Sequence, residues 1–192
     1  MRNYFMLLLI STAFIFNSCK KGEQGPQGEK GESGNAVKTF IYSNKKIPSA
    51  TLTSTNSYGG KTYYYYEGKL EITPPVTDYQ DYYENGLVLI FLRNSNYQNG
   101  VWIGVNDEHT SIYSGWDDDY GVSIRADDAA ITKEKIIIEG ESTELNNGGG
   151  TLLKSFLFDI KVVLVPTGSV TKLSSVDTKD LKAVEKALRL YK

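Results

Sequence analysis

The chain has 192 residues, 21 basic and 23 acidic side chains, a formal net charge of −2 and one histidine. That balance argues against a nucleic-acid partner, because binding phosphates needs concentrated positive charge. One cysteine excludes an internal disulfide, and a single histidine leaves too few ligands for an ordinary zinc site.

The first element is a leader. Met1-Arg2-Asn3 carries one positive charge, Tyr4 to Phe16 is mostly apolar, and Asn17-Ser18 lead into Cys19-Lys20-Lys21. A basic tip, a short apolar run and small residues before a break make a secretory signal peptide over residues 1–18. At ~1.5 Å per helical residue the run spans about 20 Å, short of the ~30 Å hydrocarbon core, so a permanent transmembrane helix is not expected. A lone thiol in an exported chain pairs outside it, stays free or is modified. The segment resembles the signal of bacterial lipoproteins, in which cleavage leaves the cysteine first and lipid, palmitate included, is joined to it. The resemblance implies lipid attachment at Cys19, and several acyl chains anchor a protein without a spanning helix. An ordinary signal peptide followed by a free thiol is the alternative.

Residues 19–35 form a tether. Gly22, Gly25, Gly28, Gly31 and Gly34 recur at every third position, the spacing required where three polyproline-II chains meet. As a spacer in extended polyproline II, residues 22–34 reach about 37 Å. As a stem, the same residues would wind with two other copies. A monomer on a spacer is the expectation, and a homotrimer is the competing reading.

Residues 36–192 suit one domain with a sizeable core. Aromatic residues make up 12% of the chain, with 14 tyrosines, which favours β-structure. Strands are predicted at Val37 to Tyr42, at Thr62 to Ile72 ahead of Pro74-Pro75, and at the wholly apolar Leu87 to Leu92. Asn99-Gly100 reads as a hairpin signal before Val101 to Val105. Tyr120 to Arg125 and Lys135 to Glu141 are further strands. Asn146 to Gly150 permits a turn with positive φ. A long strand is then expected from Leu152 to Val165, with Phe156, Phe158, Ile160, Val162 and Leu164 as a core stripe. One helix follows, capped by Asp177, with Leu181, Val184, Leu188 and Tyr191 at helical spacing on the face that packs on a sheet. The fold expected is mainly β, an antiparallel β-sandwich with one C-terminal helix; a partly open barrel is the alternative.

The combination of lipidated cysteine, Lys20-Lys21, Gly-X-Y repeats and a β-rich domain resembles Bacteroidota lipoproteins with a short collagen-like linker and a C-terminal domain of unknown function. Phe158 to Pro166 is similar to the last strand of that family, before its short terminal helix. The resemblance implies an outer-membrane location in the cell envelope and supplies no catalytic residues.

Chemistry-bearing residues are sparse. His109, in Asn106-Asp107-Glu108-His109-Thr110, reads as a solvated loop histidine, since no nucleophile-elbow spacing accompanies it. Glu141 and Glu144, or Asp117 and Asp119, are conceivable carboxylate pairs for glycoside hydrolysis. Asp117 and Asp119 are also weak metal candidates, although the spacing matches no EF-hand and a solvated acidic loop is the simpler reading. No cofactor and no catalysis are expected. The aromatic residues are the main lead. A strand over Tyr63-Tyr64-Tyr65-Tyr66 sends Tyr63 and Tyr65 to one face and Tyr64 and Tyr66 to the other. Tyr63, Tyr65, Trp102 and Trp116 are the candidate ligand-binding set, with Tyr79, Tyr82, Tyr83 and Tyr113 as further candidates. The reading against it is that these rings only fill the core and rim. The function expected is that of an anchored interaction or structural domain whose partner is an envelope protein; the alternative is a glycan-binding module.

Overall fold

The computed structural model describes residues 36–96, 100–105, 111–117, 120–145 and 147–190, with backbone alone at 111–117, 120 and 127–130. Met1–Ser33 and Gly34–Lys192 are separate units, and the fold that follows is that of the second. Among the described residues the strands are β1 (Lys38–Lys45), β2 (Thr51–Tyr58), β3 (Lys61–Ile72), β4 (Leu87–Asn94), β5 (Ile103–Gly104), β6 (Ser111–Asp117), β7 (Tyr120–Ile131), β8 (Ile136–Glu144) and β9 (Phe158–Val165). Short helices are α1 (Tyr79–Asn85), α2 (Thr151–Ser155), α3 (Thr167–Val170) and α4 (Leu181–Leu188).

One sheet has the order β1-β9-β4-β5 and the other β2-β3-β8-β7-β6, with antiparallel pairing throughout. The protein is thus a mainly β sandwich with a C-terminal helix, as its strand spacing predicts. Alternation explains which side chains meet between the sheets. In β8, Ile136, Ile138, Gly140, Ser142 and Glu144 are buried and the residues between them are half-buried. Opposite them lie Ile90 and Leu92 of β4 and Phe158, Ile160, Val162 and Leu164 of β9, all within one apolar cluster. The stripe expected at Phe156 to Leu164 is buried at every position.

The strands β4 and β9 are covered on both faces, which is why Leu87 to Leu92 shows no alternation. Leu89, Phe91, Val163 and Val165 face away from the sandwich core, and Leu173, Leu181, Val184 and Leu188 close over them. Removing Leu181, Val184 and Leu188 from water contributes about 1.5–3 kcal/mol each. Short helix α4 depends on this contact, since eight residues alone do not hold a helix in water.

Several expectations need correction. The strand predicted from Leu152 to Val165 begins only at Phe158. Gly149 and Gly150, at φ 65° and 69°, instead lead into α2, whose Leu152 N–H donates to Glu144 Oε1 at 3.0 Å. Leu152, Leu153 and Phe156 also fit one helical turn, and that fit wins because Leu153 then reaches the core against Gly140. The cap of α4 is Asp180, which accepts from Lys182 N at 2.9 Å and Ala183 N at 3.2 Å. Asp177 forms its own turn before it, accepting from Lys179 N at 2.9 Å. Tyr191 lies outside the described residues. The strand after Asn99-Gly100 covers only Ile103–Gly104, paired with Leu92 and Phe91, and Asn99 is itself outside the described residues. Tyr79 and Tyr82, candidates for an exposed surface by sequence, are instead buried on α1, where their spacing of three puts both on one helix face.

Candidate interaction surface

The outward face of the five-stranded sheet is built by the residues that alternate with its core. On β3 these are Tyr63, Tyr65, Glu67, Lys69 and Glu71; on β8, Ile137, Glu139, Glu141 and Thr143; on β7, Ser123 and Arg125. Charged groups hold its middle. Lys69 pairs with Glu139 at 2.8 Å, Arg125 with Glu139 at 3.2 Å and with Glu141 at 3.0 Å, and Lys135 with Glu71 at 2.6 Å. The Lys69 ammonium, with help from Arg125, holds the Glu139 carboxyl below the usual carboxylate range against the upward push of partial burial.

At one end of this face stand Tyr63 and Tyr65, both half-buried, beside Asn56 and Ser54 of β2 and Thr143 of β8. Residues two apart on a strand are about 7 Å apart, so the two rings rise from one side as a short ledge. On the opposite side, Tyr66 is buried. Its hydroxyl donates to Asn147 Oδ1 and accepts from Gly149 N–H at 3.1 Å, which fastens the turn into α2. The four tyrosines therefore divide by face as alternation requires, although only Tyr66 is fully enclosed.

Trp102 is elsewhere. It precedes β5 in the other sheet and packs with the cluster beneath α4. The Arg93 guanidinium lies 4.5 Å and the Lys161 ammonium 5.8 Å from its ring centre. Arg93 is in turn held by Asp159, and Lys161 by Glu185. A groove of about 590 Å³ beside the indole runs between Gly100–Gly104 and the start of α4 with the turn before it, with Ile103 and Leu181 on its walls. The structure thus does not bring Trp102 together with Tyr63 and Tyr65. Trp116 and Asp117 belong to β6, separated from β3 by β8 and β7, and their side chains are not among those described. Asp119, His109 and Cys19 lie outside the described residues.

Two chemical options narrow. Glu144 turns into the sandwich, where it meets Ser142 and the Leu152 N–H. Glu141 turns outward to Arg125. Side chains on opposite faces of one strand cannot flank a single glycosidic bond. Among the described residues, no three metal-ligating side chains converge. The residues that sequence reasoning missed are those of β2, whose Thr51 to Tyr58 run has no apolar alternation and is exposed along its whole length. The available signal was the Gly59-Gly60 pair before the tyrosine-rich strand, both glycines having positive φ in a two-residue turn. No protein-family model, characterised protein or solved structure matches this chain.

Proposed function

We propose that this protein is a non-enzymatic lipoprotein of the cell envelope, held at the outer membrane by acyl chains on Cys19. Its Gly-X-Y segment carries the β-sandwich as an interaction module. The observation that carries the reading is the place of the one cysteine, directly after a charged tip and a short apolar run. The domain offers two features in support. Where the chain enters it, the Tyr82 hydroxyl donates to Ala36 O at 2.6 Å and Lys38 pairs with Asp78 at 2.7 Å, so the entry point is fastened to α1. Helix α1 follows the Ile72 end of β3, whereas the Gly59-Gly60 turn is at the other end of that 12-residue strand, about 40 Å away. Within the domain, the Ala36 contact and the β2–β3 turn thus lie toward different ends of β3.

The test is Cys19→Ser in the full chain. The expected result is loss of labelled palmitate and release from sedimented membranes. A variant that keeps both label and sedimentation overturns the reading. A second reading, glycan binding, draws on the shared face of Tyr63 and Tyr65. Flat rings with polar edges stack on sugar faces. On a glycan array it requires a signal from the wild-type protein that disappears in Tyr65→Ala or Trp116→Ala. A silent array, with capture of an envelope protein, favours the protein-interaction module.

A further inference from the structure

Among the described residues the two stacked sheets leave four edge strands, where a second chain can extend the sheet unless something obstructs it. Three of these edges carry features that obstruct such pairing. Strand β1 has Lys38 and Lys45 and a register break between Tyr42 and Lys45. Strand β5 is two residues long. Strand β6 has a register break between Ser114 and Asp117. Strand β2 differs from all three. It runs eight residues, Thr-Leu-Thr-Ser-Thr-Asn-Ser-Tyr, with no charged residue and no proline, and every residue is exposed. Its irregularity lies between Leu52 and Ser54, so Ser54 to Tyr58 is an uninterrupted edge, paired one to one with Tyr65 to Lys61.

We propose that Ser54–Tyr58 is a self-association edge, at which a second copy of this chain adds its own β2 in antiparallel register about Asn56. The register follows from the turn. A two-residue turn at Gly59-Gly60 makes Tyr58 and Lys61 a hydrogen-bonded pair, so the backbone groups of Asn56 and Ser54 also point to β3. Those of Thr55 and Ser57 then point to the free edge. A symmetric antiparallel pair that uses them places Thr55 opposite Ser57 of the second copy and Asn56 opposite Asn56. Tyr58, at 80% exposure the most exposed large side chain of the strand, comes opposite Ser54.

A second copy suits this edge because a two-fold axis sets like residues near each other, and any charge on the strand would face itself. Serine, threonine and asparagine across the axis form hydrogen bonds instead. The pairing joins the two five-stranded sheets into one. Five residues from each copy bury less than the roughly 1,200 Å² typical of stable complexes, so the association is weak and needs trapping.

The experiment uses the full chain with Cys19→Ser, so that an added thiol is the only one. Asn56→Cys places two sulfurs across the axis at a non-hydrogen-bonded pair, where Cα atoms are about 4.5 Å apart, within disulfide reach. Under mild oxidation it should form a linked dimer at least about tenfold faster than Lys133→Cys, an exposed position in the β7–β8 turn. Adding Thr55→Pro, which removes an outward N–H and leaves the β3 pairing intact, should return the rate to that of the control. Circular dichroism and melting curves confirm that each variant is folded. Equal linking rates for Asn56→Cys and Lys133→Cys overturn the proposal, as does a fast rate that survives Thr55→Pro in a folded protein.

Discussion

Asp159 shows how one buried charge organises the end of a strand. Only 5% exposed, it accepts from Asn44 N–H at 2.9 Å, Ser95 Oγ at 2.7 Å and Arg93 Nη2 at 2.5 Å. Burial alone pushes its carboxyl up, but the donors from Asn44, Arg93 and Ser95 and the Arg93 charge together hold it below the usual range. A carboxyl depressed in the folded state adds stability that is present above its unfolded pKa of about 4 and is lost as pH falls through the folded value. Asp159→Asn should therefore lower stability at pH 7 by about 1.5–3 kcal/mol, because the donors from Asn44, Arg93 and Ser95 lose a charged acceptor while Arg93, with its side chain 30% exposed, keeps part of its hydration. It should also flatten the decline of the urea midpoint as pH falls below about 5. An unchanged midpoint at pH 7 would contradict this account. Glycines give a sharper contrast at the same scale. A Cβ on Gly68 would sit 2.2 Å from Ser49 O, a backbone atom that cannot swing away, whereas one on Gly168 meets nothing within 4 Å. Gly68→Ala should cost at least about 1–3 kcal/mol. Gly168→Ala, within α3, should be neutral or slightly stabilising. Melting curves that rank the two the other way would reject the close approach.

Individual elements differ in how plainly the chain announces them. The cap of α4 is a case in which two acids compete. Asp180 receives two backbone N–H groups of the helix, while Asp177 receives only the Lys179 N–H ahead of it. Asp180→Ala should thus cost about 0.5–2 kcal/mol in urea unfolding, and Asp177→Ala less; the reverse order would move the helix start back one turn. From sequence, Asp177 was the natural choice, since it precedes the Leu181/Val184/Leu188 stripe by about one turn and the intervening turn leaves no apolar mark. The strands covered by a layer on either side were the easiest to see. Leu87 to Leu92 and the β9 stripe owe their composition to burial, and burial is what hydropathy records. Strand β2 and helix α2 were hidden for opposite reasons. Every residue of β2 is exposed, so no apolar period exists to be read. In α2, Leu152, Leu153 and Phe156 suit both a strand and a helical turn, and only the contact of Leu153 with Gly140 decides between them. As for the candidate surface, alternation was enough to divide Tyr63 and Tyr65 from Tyr66. That Trp102 stands on the other sheet depends on strand order, a property of long-range pairing that no local pattern encodes.

For the whole molecule, the sequence expectation of a Gly-X-Y stem and the proposed β2 edge predict different assemblies. Were residues 22–34 a Gly-X-Y stem, it would make trimers, since three chains share the axis. The β2 edge makes pairs, because a two-fold operation uses up both edges and leaves none for a third copy. The short repeat has one proline, at Pro26, and gives little to sustain a triple helix. The edge has five uncharged residues in regular register. Sedimentation of the full chain with Cys19→Ser should accordingly show a monomer passing to a dimer as concentration rises, with the same isotherm after residues 22–34 are deleted. Asn56→Lys, which opposes two positive charges at the axis, should weaken that dimer by up to about fivefold, the upper end of the cross-strand pair range of roughly 0.2–1 kcal/mol. A trimer that vanishes on deletion of residues 22–34, and is indifferent to Asn56→Lys, would transfer assembly to the stem and leave β2 an unpaired edge. The two outcomes cannot be confused, because the stoichiometry and the sensitive residue change together.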